Sequence, residues 1–134
     1  MHPLWIVLLV FVALIFIGWL GLQIQPKPFA IPELSQGESQ TVPLPEGLPA
    51  PVERYFRTAY GNQIPVINTV VISGHGRIRP FGIWIPARFV FTHNAGQDYR
   101  HYIEATFFGL PFLKVNEGYV DGKSFFESPM GTYY

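Results

Sequence analysis

The sequence predicts an α+β protein: an N-terminal transmembrane helix, then a short amphipathic helix packed on a curved antiparallel β-meander of about five strands. Three observations carry this reading. Residues 4–22 are uncharged and almost wholly apolar. From Val66 onward apolar residues recur with period two, the spacing of a strand with one covered face. Between Val66 and Glu127 nothing reads as a crossover helix, so consecutive strands must pair antiparallel.

The first segment, Leu4 to Leu22, is long enough as a helix to run roughly 28 Å, close to the hydrocarbon thickness of a bilayer. A helix satisfies its backbone internally, as lipid demands. Trp5 and Trp19 stand near the two ends, where an indole buries its ring and keeps its N–H at the wet membrane interface. A helix apolar on every face is otherwise found buried in a large protein, and the remaining chain is too small to supply one. A cleaved signal peptide is the other rival. Its apolar region is usually ~7 to 15 residues, behind a basic segment and ahead of a small-x-small site. Here the start is Met1-His2-Pro3, and Gln23 to Ala30 offers no such site. An uncleaved single-pass anchor in the cell membrane is the expectation. Lys27 alone flanks it, which by the positive-inside rule points the domain to the cytoplasm. A short tail ahead of a larger C-terminal domain is also a common export arrangement, and the extracytoplasmic side is expected.

Of the 134 residues, those after the anchor allow one small domain. The charged share of 13% is half the usual, and nine basic residues balance nine acidic ones. That balance gives no footprint for nucleic acid. With no cysteine there are no disulfides, thiol chemistry or cysteine-ligated zinc. The organisation expected is an anchor over residues 1–24, a proline-rich linker over 25–47, and a β domain over 48–134.

Seven of the thirteen prolines lie from Pro26 to Pro51. Proline fixes φ and withholds a donor, so the linker is expected to be a semi-stiff spacer that pairs into no sheet. Pro51 suits a helix's first turn and Gly61 the position after its end. Between them Val52, Tyr55, Phe56 and Ala59 form an apolar stripe, with Glu53 and Arg57 as an i,i+4 pair.

In the first hairpin, Val70, Ile72 and Ile78 face one way, and Ser73, His75, Arg77 and Arg79 the other. Ile85, Ala87, Phe89 and Phe91 then oppose Trp84, Arg88 and Val90. The expected register sets Arg79 opposite Gly82, Trp84 opposite Arg77 and Ile85 opposite Gly76. Asn94-Ala95-Gly96 makes the next turn, and Tyr99 to Phe107 the third strand. Gly109-Leu110-Pro111 breaks the run before a strand from Phe112 to Val120. Asp121-Gly122 is a strong type I′ turn signal, because both central residues need positive φ. Ser124 to Glu127 begins a fifth strand. The aromatic tail after it leaves the last edge poorly covered, so the domain is expected to be incomplete at the C-terminus, or covered there by a partner.

No catalytic residue emerges. His93, His101, Asp98 and Glu104 lack the spacing of a helical zinc site, and no metal or cofactor is expected. Ser73 and Ser124 sit in no nucleophile elbow. His75, Arg77 and Arg79, with Arg88 across the hairpin, form a basic strip suited to a lipid head group. Its bland alternative is a solvated face with an Arg stacked on Trp84. Phe89, Phe91, Phe107, Phe108, Phe112, Phe125 and Phe126 are expected to make a filled core, or else to line a lipid-sized cavity.

The stretch Leu48-Pro49-Ala50-Pro51-Val52, then Arg54-Tyr55-Phe56, Gly61 and Pro65-Val66, resembles the opening of a family of uncharacterised bacterial membrane-anchored proteins. Gly76-Arg77, Trp84-Ile85-Pro86-Ala87, Phe108-Gly109-Leu110-Pro111 and Asp121-Gly122 follow in that family's order. The resemblance covers residues 48 to 131 and carries no activity. It implies further strands and a helical segment beyond this chain's end. A curved antiparallel sheet with a helix on its concave side is also similar, in architecture only, to the half-barrels of bacterial lipoprotein carriers.

The function expected is a membrane-anchored, non-enzymatic domain that binds an apolar ligand, a lipid or a partner protein. Phe89, Phe91 and Phe107 would make the contacts, and His75, Arg77, Arg79 and Arg88 would meet any head group. The alternatives are a structural module with a filled core that assembles through its open sheet edge, or the N-terminal part of a longer domain whose active residues lie elsewhere. The expected partners are the bilayer, a hydrophobic ligand and a protein at that edge, without nucleic acid.

Overall fold

A computed structural model describes residues 3–31, 40–80, 82–129 and 131–133. Two units emerge, residues 32–68 and the remainder of the chain. In the larger one, helix α1 (Pro3–Gly21) precedes a six-stranded sheet, and in the smaller one two short strands accompany helix α2 (Ala50–Tyr60).

Helix α1 covers the expected apolar run and, by length and composition, can cross a membrane as an anchor or serve as a signal sequence. Its side chains are exposed almost throughout, and only Gly21 at its end is buried. Phe16 and Trp19 stack on its surface. The Met1-His2 start lies outside the described residues.

In the smaller unit, β1 (Thr41–Pro43) pairs antiparallel with β2 (Gln63–Pro65). This corrects the expectation that the proline-rich stretch pairs into no sheet. The two strands are only three residues long and end in Pro43 and Pro65, so each proline closes a strand instead of interrupting one. The Val66 N–H donates to the Gln40 carbonyl and extends the pairing. Helix α2 carries Pro51 in its first turn and ends at Gly61 (φ +76), whose N–H donates to the Arg57 carbonyl. Arg57 and Glu53 form the expected exposed pair at 2.8 Å. Linker residues 32–39, with Glu33 and Glu38, lie outside the described residues.

The large sheet runs β3 (Thr69–Ile78), β4 (Ile85–Asn94), β5 (Asp98–Phe107), β6 (Leu110–Val120), β7 (Lys123–Ser128) and β8 (Gly131–Tyr133). Their order is sequential and every pair is antiparallel, so the meander stands. The aromatic tail, expected to leave the edge bare, supplies β8 and pairs with β7.

Register in the first hairpin is corrected by two positions. Ile78 lies opposite Ile85, Gly76 opposite Ala87, and Arg77 opposite Pro86. A loop from Arg79 to Trp84 (Phe81 lies outside the described residues) replaces the tighter turn. A shift of two preserves which side chains share a face, whereas a shift of one would invert them. At the third turn Phe107 pairs with Leu110, and Phe108 (φ +52) and Gly109 (φ +75) make a two-residue connection of the type I′ kind. The strand expected from Phe112 therefore begins at Leu110, and Phe112 is the extra residue where the register shifts beside Ala105 and Thr106. Asp121 (φ +51) and Gly122 (φ +78) form the turn their sequence announces.

The filled aromatic core is corrected as well. Buried apolar residues among those described are Ile85, Ala87 and Ala105, with Pro86 and Thr106 fully enclosed beside them. These gather where the start of β4 lies beside the end of β5, at the α1 end of the sheet. Phe125 falls on the polar face beside Gly118, and Phe107, Phe108 and Phe112 are exposed at one hairpin tip.

Candidate functional site

Strand parity divides the large sheet into two chemically different faces. Ser73, His75, Arg77, Arg88, Tyr102, Glu104, Lys114 and Asn116 share one, by the pairing of their strands. Ile72, Phe89, Phe91, His101, Ile103 and Val115 share the other.

The polar face is not left to water. Residues Leu22 to Phe29, which follow α1, run along it. One Arg77 nitrogen donates to the Leu22 carbonyl at 3.1 Å and to the Gln23 side-chain oxygen at 2.8 Å. The Ser73 hydroxyl donates to the Phe29 carbonyl at 2.7 Å, and Pro26 between them is buried. The Phe29 ring lies 4.4 Å from the Arg88 guanidinium and 5.7 Å from the Tyr102 ring. This part of the stretch expected to be a spacer is therefore packed onto the domain, because Ser73 and Arg77 donate to its backbone carbonyls, which a proline-rich segment short of N–H donors cannot satisfy within itself.

Beneath Phe29, Arg88 and Glu104 form an ion pair at 2.7 Å. The Tyr102 hydroxyl donates to the other carboxylate oxygen at 2.8 Å. Burial is the largest influence on the Glu104 carboxyl and pushes it upward. The hydrogen bonds from Tyr102 and Arg88, with the charges of Arg88 and Lys114, outweigh it and hold the group below its ordinary value. Tyr102 is pushed up to about 12 by its burial, then by its bond to that carboxylate. The group is thus a fixed charge pair capped by an aromatic ring, an arrangement suited to holding structure in place.

On the apolar face a ladder of rings crosses the strands. Phe89 and Phe91 stack at 4.8 Å, and Phe91 meets His101 at 4.3 Å. The facing Nε2 atoms of His101 and His93 are 3.0 Å apart, and His101 Nδ1 is 3.1 Å from a Glu117 oxygen. Tyr99 stacks on His93. Among the described residues no group of three or more His, Asp or Glu is placed to hold a metal. Asp98 is bonded instead to Asn94, and Glu104 lies on the opposite face. Ile72 and Tyr99 on this apolar face remain exposed at 48% and 38%.

The residues singled out from the sequence therefore separate. Arg77 and Arg88 hold the segment after α1, while His75, opposite Arg88, stays exposed. Arg79 donates to the Gly82 carbonyl and rests 5.9 Å from the Trp84 ring, which is the bland arrangement of that strip. Phe89 and Phe91 lie on the other face, and Phe107 lies at the β5–β6 tip. Sequence reasoning missed Phe29, Tyr102 and Glu104. Reading Asn94 opposite Asp98 across the second turn would have set Glu104 beside Arg88. No local signal placed Phe29 there.

The third place is the β5–β6 tip. The Phe108 N–H donates to the Gly21 carbonyl at 3.0 Å. A Cβ on Gly21 would stand 2.6 Å from both the Phe107 and Phe108 rings, so the helix end and the hairpin touch at a point only glycine leaves open.

A family model described as a family of unknown function (DUF6544) matches residues 38–130. No curated protein and no solved structure matches the chain.

Proposed function

The chain belongs to the DUF6544 family, and from that premise we propose that it is a single-pass membrane-anchored binding domain, whose sheet offers its apolar face to a lipid or another apolar ligand. The observation that carries the reading is the join between α1 and the sheet. Gly21, Leu22, Gln23 and Phe29 are all bonded to the β-strands or the hairpin between them. A signal peptide is cut from an extended, accessible stretch after its apolar run. Here that stretch is engaged with Arg77 and Ser73, which favours retention of the helix. The ligand surface is the ladder of Phe89, Phe91 and Ile103, flanked by the exposed Ile72. Phe89, Phe91 and Ile103 are half-buried and Ile72 is exposed, so an apolar ligand laid on this face would cover side chains the sheet leaves partly open. We place the domain on the extracytoplasmic side, since a short N-terminal tail ahead of a larger C-terminal domain is a common export arrangement.

The test is made on the intact chain purified from membranes in mild detergent. N-terminal sequencing should find residue 1 or 2, and mass spectrometry of an organic extract should find a co-purifying lipid that Phe91→Asp reduces. A mature chain beginning after Gly21 ends the anchor reading. An extract without lipid above a detergent blank ends the ligand reading. Protease added to intact cells should cut the domain if it lies outside.

A further inference from the structure

The two ends of the large sheet differ sharply. At the end remote from α1 the turns carry Asn94, Gln97, Asp98, Asp121 and Lys123. At the end where α1 joins, the β3–β4 loop exposes Ile83 and Trp84, and the β5–β6 tip exposes Phe108, Leu110 and Phe112. Leu110, the first residue of β6, is 71% exposed. Ile24, also exposed, lies at the same tip beside Gly109.

We propose that this end of the sheet is a membrane-seating rim, whose side chains enter the headgroup–acyl boundary of the leaflet from which α1 emerges. The inference rests on α1 being retained as an anchor. Position supports it first: the last helical carbonyl, at Gly21, is bonded to the rim residue Phe108, so the rim lies at the depth where the helix leaves the hydrocarbon. Composition supports it next. Arg79 beside Trp84 pairs a cation with an indole, two side chains that favour the interface because each has an apolar body and a polar tip. Backbone strain supports it third. Phe108 occupies the left-handed region (φ +52), where glycine or asparagine would sit at lower cost. A large aromatic held there is a strained feature whose use is the placement of its ring. The rim would enter to about 5–10 Å, the depth of interfacial segments.

The absence of cysteine permits a direct test on the full chain. Single-cysteine variants Leu110→Cys, Ala95→Cys and Val12→Cys are labelled with an environment-sensitive nitrobenzoxadiazole dye. They are reconstituted in phosphatidylcholine–phosphatidylglycerol vesicles, with circular dichroism to confirm folding. The label at position 110 should be blue-shifted and quenched by shallow spin-labelled lipid on the order of threefold more than the label at 95. The label at 95 should be quenched by aqueous iodide. If 110 behaves like 95 while 12 is protected in the acyl layer, the rim proposal is overturned and the anchor stands. If 12 itself is open to iodide, the anchor reading fails and the rim fails with it. Because the vesicles hold no other protein, a rim meant for a protein partner would give the first of these two overturning results.

Discussion

Arg88 and Glu104 stand opposite each other on β4 and β5, 2.7 Å apart, with Glu104 only 5% exposed and the Phe29 ring closing over the guanidinium. Removing one member of such a pair strands the other in a poor solvent. Arg88→Met should therefore cost roughly 3–5 kcal/mol, well above a surface substitution. Arg88→Met combined with Glu104→Leu should recover most of the loss. Urea unfolding of the intact chain in detergent reads both. A loss under about 1 kcal/mol for the single variant would show that the pair is solvated.

The same cluster sets a dependence on pH at both ends of the scale. Glu104 is held below its ordinary value in the fold, so its contribution is present above the usual carboxylate range and is lost as pH falls through the depressed folded value. Tyr102 is raised from 10.0 to about 12, so its contribution is complete below 10.0 and is lost as pH climbs towards 12. In thermal unfolding followed across pH, Tyr102→Phe should flatten the alkaline limb and also weaken the acid limb, because the Tyr102 hydroxyl is one of the bonds that hold Glu104 down. An unchanged alkaline limb would mean that the hydroxyl titrates as it does in water.

Phe29→Ala should release the segment that follows α1. Losing half-buried aromatic contact with Arg88 and Tyr102 is worth about 1–2 kcal/mol. Hydrogen exchange of residues 22 to 31 should quicken while β5 and β6 keep their protection. Ser73→Ala should act in the same direction and more weakly. Equal exchange in wild type and Phe29→Ala would show that the segment is not held by the ring.

Two glycines in strands should answer oppositely. A Cβ on Gly118 would meet the Tyr99 carbonyl oxygen, which is backbone and cannot turn away, and the Phe125 ring at 3.0 Å. Gly118→Ala should cost about 1–3 kcal/mol. Nothing lies within 4 Å of a Cβ on Gly76. Gly76→Ala should be neutral or stabilise by about 0.5 kcal/mol, since glycine loses more freedom on folding than alanine. Denaturant midpoints of the two variants, measured side by side, decide this.

The meander and the division of its faces were legible because period two survives errors of loop length. That Arg88 shares a face with His75 followed from parity alone and held, although the expected register set Arg88 opposite Ser73 and the structure sets it opposite His75. What escaped depended on longer reach. Phe108 carries no turn signal, because its positive φ is held by contacts around Gly21 that no dipeptide preference encodes. Strands β1 and β8 are three residues each, too short for alternation to show. Phe29 meets Arg88 only because the chain after α1 follows the sheet, and proline content read as a spacer concealed that path. The buried partner of Arg88 needed only the register of the second hairpin, which was not worked out from the sequence.

Ordinary tethers let a domain swivel. Here the residues leaving α1 are fastened at Leu22, Gln23 and Phe29 to two points along β3, Arg77 and Ser73, and at the helix end to a hairpin. Torque or tension applied to the rod is thus delivered straight into the strands, with no slack to absorb it. Under the anchor reading proposed above, copies embedded in the same sense would present their ring ladders at the same tilt.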